Sequence, residues 1–429
     1  MFALPFVARC HYSRRMRLLG YDCDGCQRQF APEAATYRCP SCGGNLSVQA
    51  NTEGARRDAI SADRDPSMWR YAPLMAVTPP GAETGPLSSV GGTPLFEARR
   101  MAQRLGMGKL WIKDEGRMPT GSLKDRASAV VALRAREIGA QRVITASTGN
   151  AGVALAAMAG AAGVDAVILV PASAPPAKIA QLKIFGATLV LVRGSYDDAF
   201  ELAEAAAREF GWYCRNTGSN PFTAEGKKTV SFEIAEQLGW RAPDRVVVPV
   251  GDGNILVGVA TGFRQLHALG FIDRVPKLLG VQAEGSSPIA RAFVAGSEQI
   301  ESVQTSTLAD SIAAGRPADG LRAPRAVRAS GGSFVGVSDQ QILGSIAQLG
   351  SGAAVFAEPA AAAAHAGLVA ALAQAVVARD EEVVLLITGN GLKDIAAAER
   401  AARRTAPVID ASLDALRSAL TKQPENGPT

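Results

Sequence analysis

Two groups of residues in this chain have the types and spacing to do chemistry. The first is four thiols, Cys23, Cys26, Cys39 and Cys42, in "YDCDGCQRQFAPEAATYRCPSCGGNL", two C-x2-C pairs separated by twelve residues. Each pair can bend back so that both sulfurs face one ion, and the hairpin between them brings the second pair round to complete a tetrahedron. The spacing predicts a structural zinc ribbon over about residues 20–48, with a gap somewhat shorter than the common one. A closed four-thiolate shell leaves no position for water, so its expected role is stability or docking and not catalysis. The second is Lys124 in "PTGSLKDRAS". Pro119, Thr120, Gly121 and Ser122 make a turn and cap, and the lysine falls in the first helical turn. The positive end of the helix dipole disfavours an ammonium there and biases it towards the neutral, nucleophilic form that Schiff-base chemistry uses. Taken alone, the same lysine reads more readily as a solvated surface residue, since lysines are mostly exposed.

Three further segments of small residues supply groups that could work with such an amine. In "ASTGNAG", 146–152, Ser147, Thr148, Gly149 and Asn150 turn the chain into a helix whose free N–H groups suit a carboxylate. "PVGDGNI", 249–255, is a glycine-rich turn able to wrap a phosphate with backbone donors, although it is not a dinucleotide-binding fingerprint and is weak as a lone pattern. Asp252 within it is awkward for an anion, and its side chain must point away or serve the turn only. "ITGNGLKD", 387–394, puts the hydroxyl of Thr388 at a strand end. A nucleophilic amine, a carboxylate site, a phosphate site and a neutral hydroxyl together are what a phosphorylated aldehyde cofactor holding an amino acid requires.

The elements that must position these groups alternate from Gly91 onward. "KLWIK" at 109, "RVITAS" at 142, "AVILVP" at 166, "TLVLVRG" at 188, "RVVVPVG" at 245, "KLLGVQA" at 277 and "VVLLITG" at 383 read as strands, separated by alanine- and leucine-rich helical stretches. That alternation predicts an α/β fold of parallel sheet covered by helices, with the ligand site beyond the carboxyl ends of the strands. The expected organisation is an N-terminal segment 1–50 carrying the ribbon, a linker 51–90 laid over a surface, and a catalytic domain 91–405. A smaller subdomain, about 125–235, is inserted in the larger one, and 406–429 form a C-terminal helix and tail.

Composition narrows the function classes. The 429 residues carry 45 basic and 40 acidic side chains, a net +5 too dilute to suggest nucleic acid or a membrane surface. The apolar stretches Ala151–Ala172 and Ala353–Ala378 are broken by Gly163 and Asp165 and by Glu358 and Pro359, and read as buried elements, not membrane spans. The opening segment is a poor secretory signal and a later start at Met16 would account for it. Four of six cysteines in one metal-type cluster fit a reducing cytoplasm. Cys10, His11 and Cys214 receive no role, and His267 and His365 read as packing or surface residues.

"GGTPL", "KDEGRMPTGSLKDR", "STGNAG", "VPVGDGNI" and "TGNGLKD" stand in the order seen in the threonine synthase branch of fold-type II pyridoxal-phosphate enzymes, which residues 23 to about 400 resemble, the leading zinc ribbon included. The resemblance implies two parallel-sheet subdomains, a tryptophan synthase beta-like fold, with pyridoxal 5'-phosphate as cofactor and a small amino acid as substrate. It implies that Lys124 anchors the cofactor covalently and then serves as the base at the substrate α-carbon. Asn150 would meet the cofactor's ring oxygen, Gly251, Asp252, Gly253, Asn254 and Ile255 its phosphate, and Thr388 its pyridine nitrogen. Ser147, Thr148, Gly149 and Asn150 would receive the substrate carboxylate. A hydroxyl on the ring nitrogen suits elimination and replacement better than transamination. A homodimer is compatible with the resemblance.

One segment departs from the family pattern. Where the family has a motif resembling N-S-x-N-P-x-R-x-x-G-Q-K-T that grips the substrate phosphate, this chain has "TGSNPFTAEGKKT", 217–229. Asn220, Pro221, Gly226, Lys228 and Thr229 match, whereas Thr217, Gly218 and Thr223 replace the asparagine, serine and arginine. An arginine fork on phosphate is worth about 1.5–3 kcal/mol. Asn220 and Lys227, the latter standing where the family has glutamine, are the residues left to meet that phosphate. Leu123 replaces the usual phenylalanine. The leading expectation is threonine synthase, O-phospho-L-homoserine and water giving L-threonine and phosphate. Its rival is the same machinery on an unphosphorylated hydroxy amino acid, by dehydration or β-replacement. A reading of another class, a catalytically dead zinc-ribbon docking protein, lacks the aromatic and basic interleaving that nucleic-acid ribbons carry.

Overall fold

The computed structural model describes residues 17–172, 176–402 and 406–421. Cys10, His11, the Met16 start and the tail from 422 lie outside the described residues. Among these, thirteen strands form three sheets. β1 (Leu18–Cys23), β2 (Gln29–Phe30) and β3 (Leu46–Ala50) pair antiparallel in the order β2-β1-β3, with Tyr21 opposite Val48 and Cys23 opposite Leu46.

β4 (Leu95–Glu97) and β5 (Lys109–Asp114) begin a second sheet, antiparallel to each other. The chain then leaves it to build a third from β6 (Arg142–Ala146), β7 (Asp165–Pro171), β8 (Thr188–Val192) and β9 (Tyr213–Cys214), all parallel, in the order β8-β7-β6-β9. It returns with β10 (Arg245–Pro249), β11 (Lys277–Ala283), β12 (Ser333–Val337) and β13 (Glu382–Ile387), completing a six-stranded sheet in the order β12-β11-β10-β13-β5-β4. All seven strands read from the sequence are present. β4, β9 and β12 escaped notice because they are short or broken by serine and glycine.

"RVVVP" and "EVVLLI" are buried along their whole length with no alternation, as central parallel strands covered on both faces must be. The helix Pro359–Ala373 is buried nearly all round, and its alanines and Gly367 let it lie so close that a Cβ on Gly367 would stand 2.2 Å from Val281. No helix among the described residues is long and apolar enough to cross a membrane.

Residues 51–90 differ from the surface connector expected. Met68, Trp69, Tyr71, Leu74, Met75, Val77, Leu87 and Val90 are buried in two of the hydrophobic clusters. They sit largely in and beside irregular 3-10 turns, Met68–Leu74 and Ala82–Ser89, which carry no α or β periodicity for a sequence reading to find. The C-terminal helix spans Leu413–Thr421, and none of its residues is buried.

Candidate active site

The turn before Lys124 is locked from two sides. The Asp125 carboxylate accepts from the Thr120 backbone N–H at 2.7 Å and from the Thr120 hydroxyl at 2.5 Å, closing the turn on the helix Lys124–Glu137. Burial raises that carboxyl to about 6. Across the turn, the Leu123 N–H donates to the Thr388 carbonyl at 3.0 Å and the Asn390 N–H to the Gly121 carbonyl at 2.9 Å, stitching it to the end of β13. Arg126, fully buried on the same helix, donates to both Glu115 and Glu233 at 2.6–2.9 Å, and Lys113 joins Glu233 at 2.7 Å. "KDR" thus puts the amine where fixed neighbours on both sides hold its helix.

The carboxyl ends of β6, β9 and β10 open onto one cavity of about 680 Å³. It is lined by Lys124, by Ser147, Thr148, Gly149 and Asn150 at the start of the helix Asn150–Ala162, and by Gly251, Asp252, Gly253, Asn254 and Ile255 at the start of the helix Asn254–Ala268. Three segments far apart in sequence therefore meet, because each follows a parallel strand or abuts one and parallel strands release their loops on the same edge. Burial, with the Arg215 guanidinium adding to it, pushes the Lys124 ammonium down to about 8, against the opposing pull of Glu358 and Asp252. Sequence bias and structure agree on an amine readily freed of its proton.

The anion cradle is built from backbone. Gly253 has φ +90°, a conformation side-chain-bearing residues avoid, and a Cβ there would stand 2.9 Å from the Ala323 Cβ. The free N–H groups of the helix start at Asn254 then face the cavity with the dipole's positive end. Asp252 is less disruptive than the sequence suggested. Its carboxyl receives the backbone N–H of Ala318 and burial raises its pKa, which favours the uncharged form next to an anion.

Thr388 and Asn220 are placed otherwise than expected. Thr388 is buried behind Lys124, tied by its carbonyl to Leu123, and does not line the cavity. Asn220 does not line it either: its amide donates to the Cys214 carbonyl at 2.7 Å and its oxygen accepts from the Phe222 N–H at 2.9 Å, so the side chain is spent on the turn into the helix Phe222–Lys227. Thr223 likewise turns back to the Asn220 carbonyl at 2.7 Å. Lys227 does line the cavity, wholly buried, with its ammonium on the Asn254 side-chain oxygen. Burial, and then Lys124 and Arg215, hold its pKa well below the usual lysine value.

Three residues in or beside the cavity were not singled out in the sequence. Arg215 follows β9, is buried, and donates to Thr217 at 2.5 Å and to Ser128 at 3.3 Å. Arg316 lines the cavity from an exposed position. Glu358, buried just before the helix Pro359–Ala373, accepts from the Asn150 amide at 2.9 Å on both oxygens, and burial raises its pKa. The signal for it was a single carboxylate in an otherwise apolar run, noted in the sequence only as an interruption. His365 is a buried packing residue on Ser345 at 2.9 Å, and burial lowers it to about 4.

The family described as pyridoxal-phosphate dependent enzyme matches residues 87–389, which hold every cavity-lining residue. The chain belongs to that family, in its threonine synthase branch. A threonine synthase of Methanosarcina acetivorans is 37% identical over 402 residues, 93% of this chain and 98% of that protein. One from Methanocaldococcus jannaschii is 36% identical over 88% of this chain and 94% of its own length. The processed form of threonine deaminase isoform 2 from Solanum lycopersicum superposes with a TM-score of 0.61 at 24% identity, over 72% of this chain and 86% of that one, a likeness of fold. The residues present fit the cofactor: a proton-poor lysine, a backbone phosphate cradle opened by Gly253, and a cavity in the size range of cofactor sites, about 300–1,000 Å³.

The four ribbon sulfurs lie within 4.8 Å of one another, with Cys23 to Cys42 at 3.4 Å and Cys26 to Cys39 at 3.6 Å. A tetrahedral ion with metal–sulfur bonds of about 2.3 Å separates its ligands by about 3.8 Å, so the cluster is shaped to hold one.

Proposed function

We propose that this enzyme is a threonine synthase that converts O-phospho-L-homoserine and water to L-threonine and phosphate, and that its ribbon carries zinc. The observation that carries the reading is the cationic wall of Arg215 and Lys227, with Arg316 exposed on the same cavity, additional to the backbone cradle at Gly253 and Asn254. A substrate with both a carboxylate and a phosphate needs two anion sites besides the cofactor's own. The helix start at Ser147–Asn150 suits the carboxylate. Arg215 and Lys227 suit the phosphate, replacing from a new direction the arginine that Thr223 lacks.

When bound, pyridoxal phosphate supplies an electron sink for the carbon next to the substrate amine. Lys124 would hold the cofactor through its nitrogen and, as a free amine, would take and return protons beside that carbon, for which a pKa pushed down to about 8 is suited. Asn150, fixed by Glu358, orients groups at the helix start. Arg215 stays charged and holds the departing phosphate. Lys227, whose pKa burial holds well below the usual lysine value, can take up a proton as that dianion settles, which favours charge where the leaving group gains it. Four thiols kept for a metal fit the reducing cytoplasm.

The test is phosphate release from O-phospho-L-homoserine by the cofactor-loaded enzyme with threonine measured in the same reaction. Equal amounts of both support the reading. Absence of release, with ammonia or keto acid formed from serine or threonine instead, replaces it with a dehydratase.

A further inference from the structure

The ribbon is built into the wall behind the cavity. Tyr37 accepts the Cys214 backbone N–H at 2.7 Å, next to Arg215, and Tyr21 meets the ring of Phe222 edge-on at 6.4 Å. More telling is Asn45, three residues beyond Cys42. Its amide nitrogen lies 2.8 Å from the Gly218 carbonyl, 3.1 Å from the Ala318 carbonyl and 2.9 Å from the Asp319 carboxylate. Asp319 is fully buried, and its other oxygen takes the side-chain amide of Asn254, whose own oxygen holds Lys227. Asp319 is held again by Arg322 at 2.9 Å, and Arg322 reaches back to the ribbon through Asp24 at 2.9 Å and Ser47 at 2.8 Å. Asp24 directly follows Cys23, so both grips on Asp319 come from beside the metal-type thiols.

Gly218 makes the approach feasible. At φ +80° it lies against Ala318, where an added Cβ would stand 2.4 Å from the Ala318 Cβ. The serine of the family pattern is therefore excluded here by the same contact that brings Asn45 over both loops.

We propose that Asn45 and Asp319 are positioning residues that transmit the metal-held shape of the ribbon to Asn254 in the phosphate cradle, so that metal loading sets how tightly the enzyme holds its cofactor. The proposal rests on the cradle reading but not on the identity of the substrate. A ribbon without its ion loses the fixed distance between Cys42 and Asn45. Asp319 then keeps Arg322 but not the amide that fixes its first oxygen, and Asn254 is free to turn from the orientation that opens its N–H to the cavity.

The experiment titrates full-length apo-protein with pyridoxal 5'-phosphate and follows binding spectroscopically, with melting temperature measured on each sample. Asn45→Ala and the size-conserving Asn45→Asp are each expected to weaken binding about tenfold, the size of one hydrogen bond to a charged group. Cys42→Ser and chelator-treated wild type should show the same loss, and Asn45→Ala combined with Cys42→Ser no more than either alone. Arg28→Ala, which removes only a contact to Ser41 within the ribbon, is the control and should bind normally. Lowered melting temperature with unchanged cofactor affinity would overturn the proposal, leaving Asn45 a structural residue. Additive losses in the double variant would overturn the link to the metal. Gly253→Ala separates the premises: normal binding there removes the cradle reading itself, whereas weakened binding there with normal Asn45 variants removes only the coupling. Should Asn45→Ala not fold, the chelator-treated wild type and Cys42→Ser give the same decision.

Discussion

Chemistry at this site turns on two lysines whose protons are held loosely for different reasons. Lys124 is depressed to about 8 by burial, below the roughly 10.4 of an unfolded chain. Only the neutral amine captures an aldehyde, so the rate of pyridoxal phosphate capture should rise with pH and level off above about 8. A rate still climbing at pH 10 in stopped-flow absorbance would contradict the assignment. The stability sign follows from the same shift: between about 8 and 10.4 the unfolded chain binds the extra proton, so this lysine's cost to the apo-protein fades as pH rises through that window. Lys124→Met should flatten that part of the stability profile and abolish covalent cofactor binding. Burial, and then the cations Lys124 and Arg215, hold the Lys227 pKa well below the usual lysine value, and an arriving phosphate dianion opposes that shift. Substrate binding to the holoenzyme at pH 8, where a phosphate monoester with a second pKa of about 6 is already a dianion, should be accompanied by proton uptake. Calorimetry in two buffers of different ionisation enthalpy reads the uptake directly, and Lys227→Met should eliminate it. The pH dependence of affinity follows: binding weakens as pH rises.

Among the elements, the helix Lys124–Glu137 carries the reactive amine at one end and a buried ion cluster on its flank. Arg126, Glu115, Glu233 and Lys113 are all removed from water, with the hydroxyl of Thr93 from "GGTPL" donating to Glu115 at 2.6 Å. Breaking such a cluster by removing one partner leaves an unpaired buried charge and costs about 3–5 kcal/mol. Arg126→Met should therefore lower the unfolding free energy by that amount and loosen cofactor binding, although Arg126 does not line the cavity. Equal stability of this variant in urea titration would refute the argument. A second element-scale expectation concerns the 217–220 loop, where Gly218→Ala combines a left-handed backbone with a 2.4 Å contact and should destabilise by about 1–3 kcal/mol.

At the scale of the whole molecule, the inserted sheet β6–β9 and the sheet β10–β13 with β4 and β5 carry the site, and the ribbon packs on the loops behind it. Binding of a metal to the folded ribbon stabilises the fold by mass action. Because the ribbon packs on the loops beside Arg215 and Asp319, chelation should lower the melting temperature of the entire protein in one transition. Two separated transitions in calorimetry would show that the ribbon melts on its own. Acid adds a further load: His365, lowered to about 4, is neutral in the fold, so the stability it permits is lost as pH falls from about 6.5 towards 4.

The sequence by itself determined the parts governed by local chemistry. The thiol spacing, the long parallel strands, the turn that offers Lys124, and the small-residue segments at strand ends are each written within a short run of neighbouring residues. The family pattern ordered them. Tertiary structure alone decided which side chains share the cavity and which are consumed elsewhere. Asn220 matched the pattern yet is spent on its own turn, while Arg215, shortly before it in sequence and unremarked, lines the cavity because a two-residue strand ends there. Burial of Met68, Trp69, Tyr71, Leu74, Met75, Val77, Leu87 and Val90 and the reach of Asn45 to Asp319, 274 residues away, could not be read either. The physical reason is common to all three: periodicity and spacing report what a segment does with its nearest neighbours, whereas burial and long-range hydrogen bonds depend on which other segment the fold lays against it.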